Sequence, residues 1–185
     1  MEELKPGHYW KTPFIWEPGL PVPPSPAHLR FEPAPDAWLR SAITTVVAAS
    51  MDPSDHWASR ELGPEGTLRE LFALLPQHFT FQPDWWRLAR DAEERAVGFV
   101  LPALFSDPRT QRDGRPEGTV FYMGVLPGFR GHHYGEALLG ESTRILSAAG
   151  CWRILCDTGT DNAPMVAAFR RAGYLEWEPW QRPLA

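Results

Sequence analysis

The sequence is short of several features that would each point to a particular class of protein. Of its 185 residues, only two are cysteines, and 18 are basic against 23 acidic, which gives a formal net charge of -5. An acidic balance argues against a surface built for a nucleic-acid backbone, which needs a basic face. The best apolar run, Ala96–Phe105, is too short to span a bilayer and contains Pro102. We therefore expect neither a nucleic-acid partner nor a membrane partner.

Two further absences concern the cellular compartment. The first ten residues, MEELKPGHYW, lack the basic and then apolar pattern of a signal peptide. Cys151 and Cys156 are an odd number of positions apart, so on one strand they would lie on opposite faces, unable to form a disulfide. We expect both to be buried, reduced side chains and the protein to be cytoplasmic.

What is present indicates one globular domain preceded by an unusual segment. Hydrophobic residues make up 43% of the chain and charged residues 22%, which is typical of globular proteins. Residues 1–28 contain seven prolines, which oppose regular structure, but they are also rich in aromatic residues. We predict an extended N-terminal arm over residues 1–28 that packs its aromatic side chains on the domain at 29–185, or on a second subunit in a homodimer. A loosely held tail is the alternative.

The rest of the chain alternates between strand and helix patterns. The predicted strands are 28–32, 85–90, 96–105, 119–125, 152–156 and 174–180. The predicted helices are 36–50, 68–75, 134–149 and a last one that begins after Asn162 and ends before Gly173. Residues 51–66 are predicted to be a loop, and Gly98 and Pro102 predict a bulge or bend within their strand. This order predicts a mixed α/β sheet with at least one crossover helix.

The most informative stretch is 118–149, which combines an apolar strand, a proline turn, a glycine-containing loop and a long amphipathic helix. Backbone N–H groups at such a helix N-terminus, together with the helix dipole, favour a phosphate or pyrophosphate. No Gly-Lys-Ser/Thr follows the loop, so it is not a Walker A sequence, and GxGxxG is absent as well. Periodicity alone therefore predicts only an anion site.

The residues themselves add a resemblance. VLPGFRGHHYG at 125–135, followed by EALL at 136–139, resembles the acyl-CoA-binding motif V-x-P-x-x-R-G-x-G-x-G/A of the GNAT N-acetyltransferase superfamily. NAPM at 162–165, continuing to FRRAGY at 169–174, resembles the second motif of that family. The two motifs stand in the right order and at the right separation, and the resemblance covers residues 118–175.

The resemblance implies a GNAT-like mixed central β-sheet flanked by α-helices, in which strands 119–125 and 152–156 splay to form an acyl-CoA cleft. Backbone groups of 123–125 would pair with the pantetheine amides, and the amides of 130–136 would hold the pyrophosphate. A backbone N–H near Val125 would stabilise the developing oxyanion. No metal is implied. The residues expected to contact acetyl-CoA are Met123, Gly124, Val125, Arg130, Gly131, His132, His133, Tyr134, Gly135, Glu136, Asn162 and Phe169.

Two positions depart from the family pattern. His133 stands where the motif usually has its middle glycine, although histidine is among the residues that tolerate a positive φ. Phe169 stands where many members have a tyrosine thought to protonate the departing thiolate, so Tyr122, Tyr174 or a water would have to substitute. The acceptor amine must also lose a proton, and Glu117 is our first candidate for the base, with Glu65 or Glu70 second.

The sequence thus predicts an N-acetyltransferase that moves an acetyl group from acetyl-CoA to a small-molecule or protein amine by direct attack in a ternary complex. Transfer of a longer acyl group is one alternative. A catalytically weak acyl-CoA-binding or regulatory protein is another, and a structural module without a ligand is a third. The aromatic residues of 50–82, together with Trp177 and Trp180, suggest a pocket for an apolar or aromatic acceptor.

Overall fold

The computed structural model describes residues 3–24, 26 and 28–184. Its strands are β1 (His8–Trp16), β2 (Arg30–Pro33), β3 (Phe79–Thr80), β4 (Arg87–Arg90), β5 (Ala96–Phe105), β6 (Glu117–Val125), β7 (Arg153–Gly159), β8 (Leu175–Glu176) and β9 (Trp180–Pro183). Its helices are α1 (Asp36–Ala48), α2 (Pro53–His78), α3 (Tyr134–Ala148) and α4 (Ala163–Arg171), with 3-10 turns at Pro108–Thr110 and Pro127–Phe129. Within the described residues, no helix has the length and apolarity needed to cross a membrane.

The strands form one nine-stranded sheet in the order β2-β4-β5-β6-β7-β1-β8, with β3 also paired to β5 and β9 also paired to β1. Every pairing is antiparallel except that of β6 with β7, which α3 connects as a crossover helix. Phe99 and Leu101 of β5 pack against α1 and α2, whereas Val97 and Val100 pack against α3. The sheet therefore lies between two helical layers, and the predicted mixed α/β fold is confirmed.

Strand β1 shows that the prolines of residues 1–28 do not prevent regular structure, because residues 8–16 lie inside the sheet, between β7 on one side and β8 and β9 on the other. Pro13 is tolerated there because its backbone faces the interval between β8 and β9. Its carbonyl accepts from the Trp177 N–H on that side, and the N–H that proline lacks would have pointed the same way. Phe14 and Trp16 are no more than 2% exposed. The predicted packing of aromatic side chains on the domain is thus seen for these two residues, and because it occurs within one chain it gives no argument for a second subunit.

The segment predicted as a loop at 51–66 is helical and belongs to α2. Asp52 accepts from the Ser54 N–H at 2.9 Å as the N-cap, and Pro53 occupies the first helical position, where it has no N–H to lose. Gly63 interrupts the helix with φ 71° and ψ 164°. The helix continues after Gly63, and the Thr67 hydroxyl donates to the Gly63 carbonyl at 3.0 Å.

Prolines explain two further details of the sheet. The register between β5 and β6 shifts between Leu101 and Pro102, so Phe121 is the extra residue of a bulge, as predicted at that proline. The strand predicted over 174–180 is instead divided into β8 and β9, which leaves residues 177–179 unpaired as a strand. Pro179, within that interval, lacks the N–H that a continuous ladder would require.

We expect Gly124→Ala to destabilise the protein by about 1–3 kcal/mol, because overpacking strains a core. A Cβ at this position would lie 2.6 Å from Cγ1 of Val46, between β6 and α1. Urea denaturation measures the loss, and Val46→Ala in the same chain should restore part of it. Gly128→Ala is the control, since a Cβ there meets no atom within 4 Å among the described residues. Equal stability of the Gly124 and Gly128 variants would contradict the close approach.

Candidate functional site

A gap opens between β6 and β7 in the middle of the sheet. The two strands pair only at Glu117–Arg153 and Gly118–Ile154, after which they diverge. The Val120 N–H, which would otherwise continue the ladder, donates to Sγ of Cys156 at 3.4 Å. The predicted splay of these strands is confirmed, and it leaves the edge of β6 from Thr119 to Val125 without a partner strand.

The backbone of β6 presents its polar groups to this gap at alternate residues. The Leu126 N–H donates to the Val97 carbonyl at 2.9 Å, toward β5. Because successive residues of a strand direct their N–H and C=O to opposite sides, Val125 and Met123 direct theirs toward the gap. Gly124 instead faces β5. Of the three β6 residues expected to contact the cofactor, Met123 and Val125 therefore direct backbone groups into the gap.

The loop after β6 brings backbone N–H groups to the N-terminus of α3. His133 is the N-cap and adopts the left-handed conformation, with φ 60° and ψ 18°, while Gly131 has φ 86°. The predicted tolerance of His133 for a positive φ is confirmed. His132 stacks on the ring of Tyr134 with centroids 5.7 Å apart. The first N–H groups of α3 are left without intrahelical partners, which makes this end suited to an anion.

Arg130 spans the open end of the gap. Its Nη1 donates to the Ala49 carbonyl at 2.8 Å, at the end of α1, and its Nε lies 3.4 Å from the Val125 carbonyl. Glu136, in the first turn of α3, pairs with Nε of Arg171 at 3.1 Å. The carboxylate that would otherwise repel an anion at this helix end thus has a cationic partner.

The second motif contributes less to the gap than expected. Asn162 is the N-cap position of α4, and its Nδ2 donates to Oγ1 of Thr158 at 3.2 Å. Phe169 is 3% exposed and stacks on Phe14 with centroids 4.5 Å apart, with Tyr174 against its edge. The structure therefore places the ring of Phe169 in the core.

Two of the three predicted catalytic residues are also misplaced for that role. Glu117 is 3% exposed, pairs with Nε of Arg153 at 2.5 Å and lies at the closed end of the gap. At about 3.3 Å per residue, it is roughly 25 Å along β6 from Val125. Tyr174 shares a hydrogen bond of 2.7 Å with Oγ1 of Thr143 in the core, and burial raises its pKa well above the usual value. Neither group faces the open gap.

Tyr122 is the third predicted catalytic residue, and it contacts a residue that the sequence did not indicate. Its hydroxyl donates to Oδ2 of Asp55 at 2.6 Å, and the Ser50 hydroxyl donates to the same oxygen at 2.8 Å. Burial raises the pKa of Asp55, while these two hydrogen bonds oppose the rise. Burial and the neighbouring carboxylate also raise the pKa of Tyr122 well above its usual value. Asp55 was missed because its segment was predicted to be a loop, although Asp52-Pro53 is a recognisable helix start.

The first turn of α2 bridges the gap. Asp52 accepts from the Gly159 N–H of β7 at 2.7 Å with Oδ2, while Asp55, one turn further on, is bonded to β6 through Tyr122. Beside them, Nζ of Lys11 lies 2.5 Å from Oδ1 of Asp157. One helical turn thus connects the two diverging strands and gathers ionisable groups there.

The aromatic residues expected to line an acceptor pocket are not brought together. Phe81 stacks on Trp86 with centroids 4.2 Å apart, on the α2 and β5 side of the sheet. Trp177 and Trp180 are 59% and 42% exposed beyond β1, at the other edge of the sheet.

Across residues 3–24, 26 and 28–184, no group of three His, Cys, Asp or Glu side chains could hold a metal ion. Cys151 and Cys156 are both free and buried, as predicted, and burial raises the pKa of each thiol to about 12.

A family comparison agrees with this geometry. The profile described as "Acetyltransferase (GNAT) family" matches residues 51–174, which is more than half of the chain. The chain belongs to the GNAT acetyltransferase family. The gap, the proline turn and the N-terminus of α3 all lie within the matched residues.

Among curated proteins, this GNAT chain is similar to enzymes named mycothiol acetyltransferase. The protein of Saccharomonospora viridis is 34% identical over 94 residues, which cover 51% of this chain and 31% of the relative. That of Nocardiopsis dassonvillei is 27% identical over 179 residues, covering 94% of this chain and 50% of the relative. The chain thus spans about half the length, or less, of the curated relatives it matches.

Solved structures show the same fold at low sequence identity. A GCN5-related N-acetyltransferase from Sphaerobacter thermophilus superposes with a TM-score of 0.55 at 15% identity, covering 95% of this chain and 52% of that one. A second, from Kribbella flavida, gives a TM-score of 0.53 at 18% identity, covering 95% and 59%.

We expect Glu117→Gln to lower the free energy of unfolding of this GNAT chain by about 1–3 kcal/mol, because it removes a charge from a buried hydrogen-bonded pair. The melting-temperature shift produced by coenzyme A should stay unchanged. Glu93→Gln is the matched control, since Glu93 is 65% exposed where it pairs with Arg95, and it should change stability by no more than about 0.5 kcal/mol. A Glu117 variant of unchanged stability that had lost the coenzyme A shift would restore Glu117 to the site.

Proposed function

We propose that this GNAT chain transfers an acetyl group from acetyl-CoA to a primary amine, by direct attack of the amine within a ternary complex. One observation carries the proposal. The unpaired edge of β6 ends at Val125, next to the loop whose backbone N–H groups lead into the N-terminus of α3. An extended amide chain ending in a pyrophosphate has the polarity and the shape that these two neighbouring features require.

The chain's own residues would hold the cosubstrate through backbone atoms. Val125, next to the pyrophosphate loop, offers its N–H to a pantetheine amide, as an added strand would. Gly131 and the first turn of α3 offer N–H groups to the pyrophosphate, and Arg130, in the same loop, supplies a positive charge. The side chains of residues 132–136 would then shape the loop, while the backbone binds the cosubstrate. The left-handed His133 is compatible with this role because it turns the chain into the helix.

The thioester supplies an activated acyl group, and the protein's part is to position and polarise it. The Met123 N–H, further from the pyrophosphate loop, would donate to the thioester carbonyl oxygen as negative charge develops there. Holding the amine beside the carbonyl carbon supplies much of the acceleration, since it makes the reaction effectively unimolecular. The nitrogen–carbon bond forms as the carbon–sulfur bond breaks, and one proton from the nitrogen ends on the thiolate. No covalent bond to the enzyme is needed.

The acceptor is proposed at the level of its chemical class. The curated relatives are named for acetylation of mycothiol, so a mycothiol-related amine belongs in the set of candidate acceptors, together with small primary amines and peptide N-termini. The carboxylates at the start of α2 favour an acceptor that arrives as an ammonium ion. The relatives extend well beyond the length of this chain, so their substrate is a candidate here and not an assignment.

A second candidate function has its own supporting observation. Phe169 and Tyr174 are both enclosed in the core, so the second motif offers no phenol to protonate a departing thiolate. A protein that binds acyl-CoA and turns it over slowly, or one that senses acyl-CoA, would be built in this way. Transfer of a longer acyl chain would need the same binding surface and a wider opening near Met123.

An assay of thiol release with acetyl-CoA and the three classes of amine tests the proposed function. We expect saturable turnover on at least one amine, together with a rise in melting temperature on adding coenzyme A alone. At a concentration 100 times Kd, the ligand adds about 2.7 kcal/mol to the free energy of unfolding, a rise of roughly 5–10 °C for a chain of this size. Binding without turnover would support the second candidate. The absence of both binding and turnover would instead support a structural module without a ligand.

A substitution at the start of α3 tests the anion site separately. We expect Gly135→Asp to weaken coenzyme A binding at least tenfold relative to Gly135→Asn, which corresponds to about 1.4 kcal/mol. The two side chains have nearly the same shape, and a Cβ here meets only Cβ of Ala168, at 3.4 Å. A carboxylate in the first turn also favours the helix, so the Asp variant should be as stable as the Asn variant. Equal affinity in calorimetry would place the pyrophosphate elsewhere.

A further inference from the structure

The Asp55 carboxylate occupies a defined position beside the gap. It lies in the first turn of α2, which bridges β6 and β7, and two hydroxyls, those of Tyr122 and Ser50, donate to its Oδ2. Within the described part of the chain, no hydrogen bond engages its Oδ1. Two bonds thus hold the carboxylate in one orientation while its second oxygen is available to another donor.

The neighbouring carboxylates are already committed. Asp52 accepts from Ser54 with Oδ1 and from Gly159 with Oδ2, so both of its oxygens serve the helix and the end of β7. Asp157 pairs with Lys11. Glu117 pairs with Arg153 at the closed end of the gap. Asp55, in contrast, forms no ion pair among the described residues, and its only hydrogen-bond partners there, the Tyr122 and Ser50 hydroxyls, leave one oxygen without a donor.

From this geometry we infer that Asp55 is the general base that takes the proton from the acceptor's ammonium group, with Tyr122 as its positioning residue. The inference rests on the proposed function and names the residue that prepares the amine. Tyr122 immediately precedes Met123, whose backbone faces the gap, so the pair stands next to the place proposed for the end of the pantetheine chain.

The protons balance without an added reactant. The ammonium group gives one proton to Oδ1 of Asp55, and the neutral amine then attacks the thioester carbonyl carbon. The second proton passes from the nitrogen to the departing thiolate as the carbon–sulfur bond breaks. Asp55 afterwards returns its proton to solvent, so each turnover releases one proton, one amide and one thiol.

The surroundings of Asp55 favour this role. Burial raises its pKa toward the working range of a base, and the Asp52 charge adds to the rise. The hydrogen bonds from Tyr122 and Ser50 act in the opposite direction, as does the charge of Lys11 on β1. Lys11 is itself paired with Asp157 of β7, and Arg130 faces Tyr122 from the loop before α3. The group ionises less readily than an exposed aspartate and accepts a proton more readily.

The first measurement compares Asp55→Asn with the parent protein. Asn keeps the shape and can still accept from Tyr122, but it cannot take a proton. We expect kcat for a basic amine to fall about 100-fold or more, within the range ascribed to general base catalysis. The coenzyme A melting shift should be unchanged, and the melting temperature at neutral pH no lower, because a charge penalised by burial has been removed. Asp55→Glu should recover part of the activity.

The second measurement follows the carboxyl group itself, without any cosubstrate. In a 13C NMR titration of the protein, Tyr122→Phe should move the Asp55 inflection to higher pH, because a hydrogen bond to the charged form is lost. Asp52→Asn should move it to lower pH, because a neighbouring negative charge is lost, and asparagine still serves as a helix N-cap. The acid limb of kcat should move in the same two directions. An acid limb of the kcat profile that shifts with neither substitution would overturn the inference.

The third measurement separates base catalysis from a structural role. An acceptor that is already neutral at the assay pH, such as a hydrazide, has no ammonium proton to give, so the deficit of Asp55→Asn should shrink at least tenfold on that acceptor. A deficit of equal size on both acceptors, or none on either, would overturn the role of Asp55 and leave the proposed function standing. Absence of turnover by the parent protein on every amine would overturn both.

Discussion

The structure depends on the early end of one pairing. Strands β6 and β7 are parallel neighbours at the centre of the sheet, yet they share only two residue pairs before they separate. Every backbone N–H and C=O that faces the gap beyond that point needs another partner, because buried polar groups that stay unpaired are costly. The protein supplies some of these partners itself, with Sγ of Cys156 and the guanidinium of Arg130. It leaves the rest of the edge to an added chain.

The helices around the gap approach it closely because the strand positions beneath them are glycines. A Cβ on Gly124 would lie 2.6 Å from Val46 of α1, and one on Gly159 would lie 2.4 Å from Cδ of Pro53 at the start of α2. These two contacts bring the end of α1 and the beginning of α2 against the diverging strands. The polar first turn of α2 can then reach both strands at once, which an ordinary side chain at either glycine would prevent.

Local sequence rules predicted much of the fold and failed where pairing partners are distant. The bounds of β5, the bulge at Pro102 and the left-handed His133 were all readable from nearby residues. Strand β1 was missed because prolines in its surroundings oppose regular structure, and its partner β7 lies more than 130 residues away. Only the pairing of β1 with β8 and β9 reveals that Pro13 faces an interval between strands, where a missing N–H costs little.

The candidate site divides in the same way. Residues 125–135 carry the loop, the glycines and the helix start within one continuous segment, so a motif was enough to predict the loop and helix N-terminus that are proposed to hold the cosubstrate. The ionisable groups come from separate elements, and only the assembled sheet decided among them. It buried Glu117 beside Arg153 and enclosed Tyr174 in the core, while it brought Asp55 of α2 to Tyr122 of β6. Backbone conformation is determined mainly by neighbours in sequence, whereas the hydrogen-bond and ion-pair partners of a carboxylate are determined by neighbours in space.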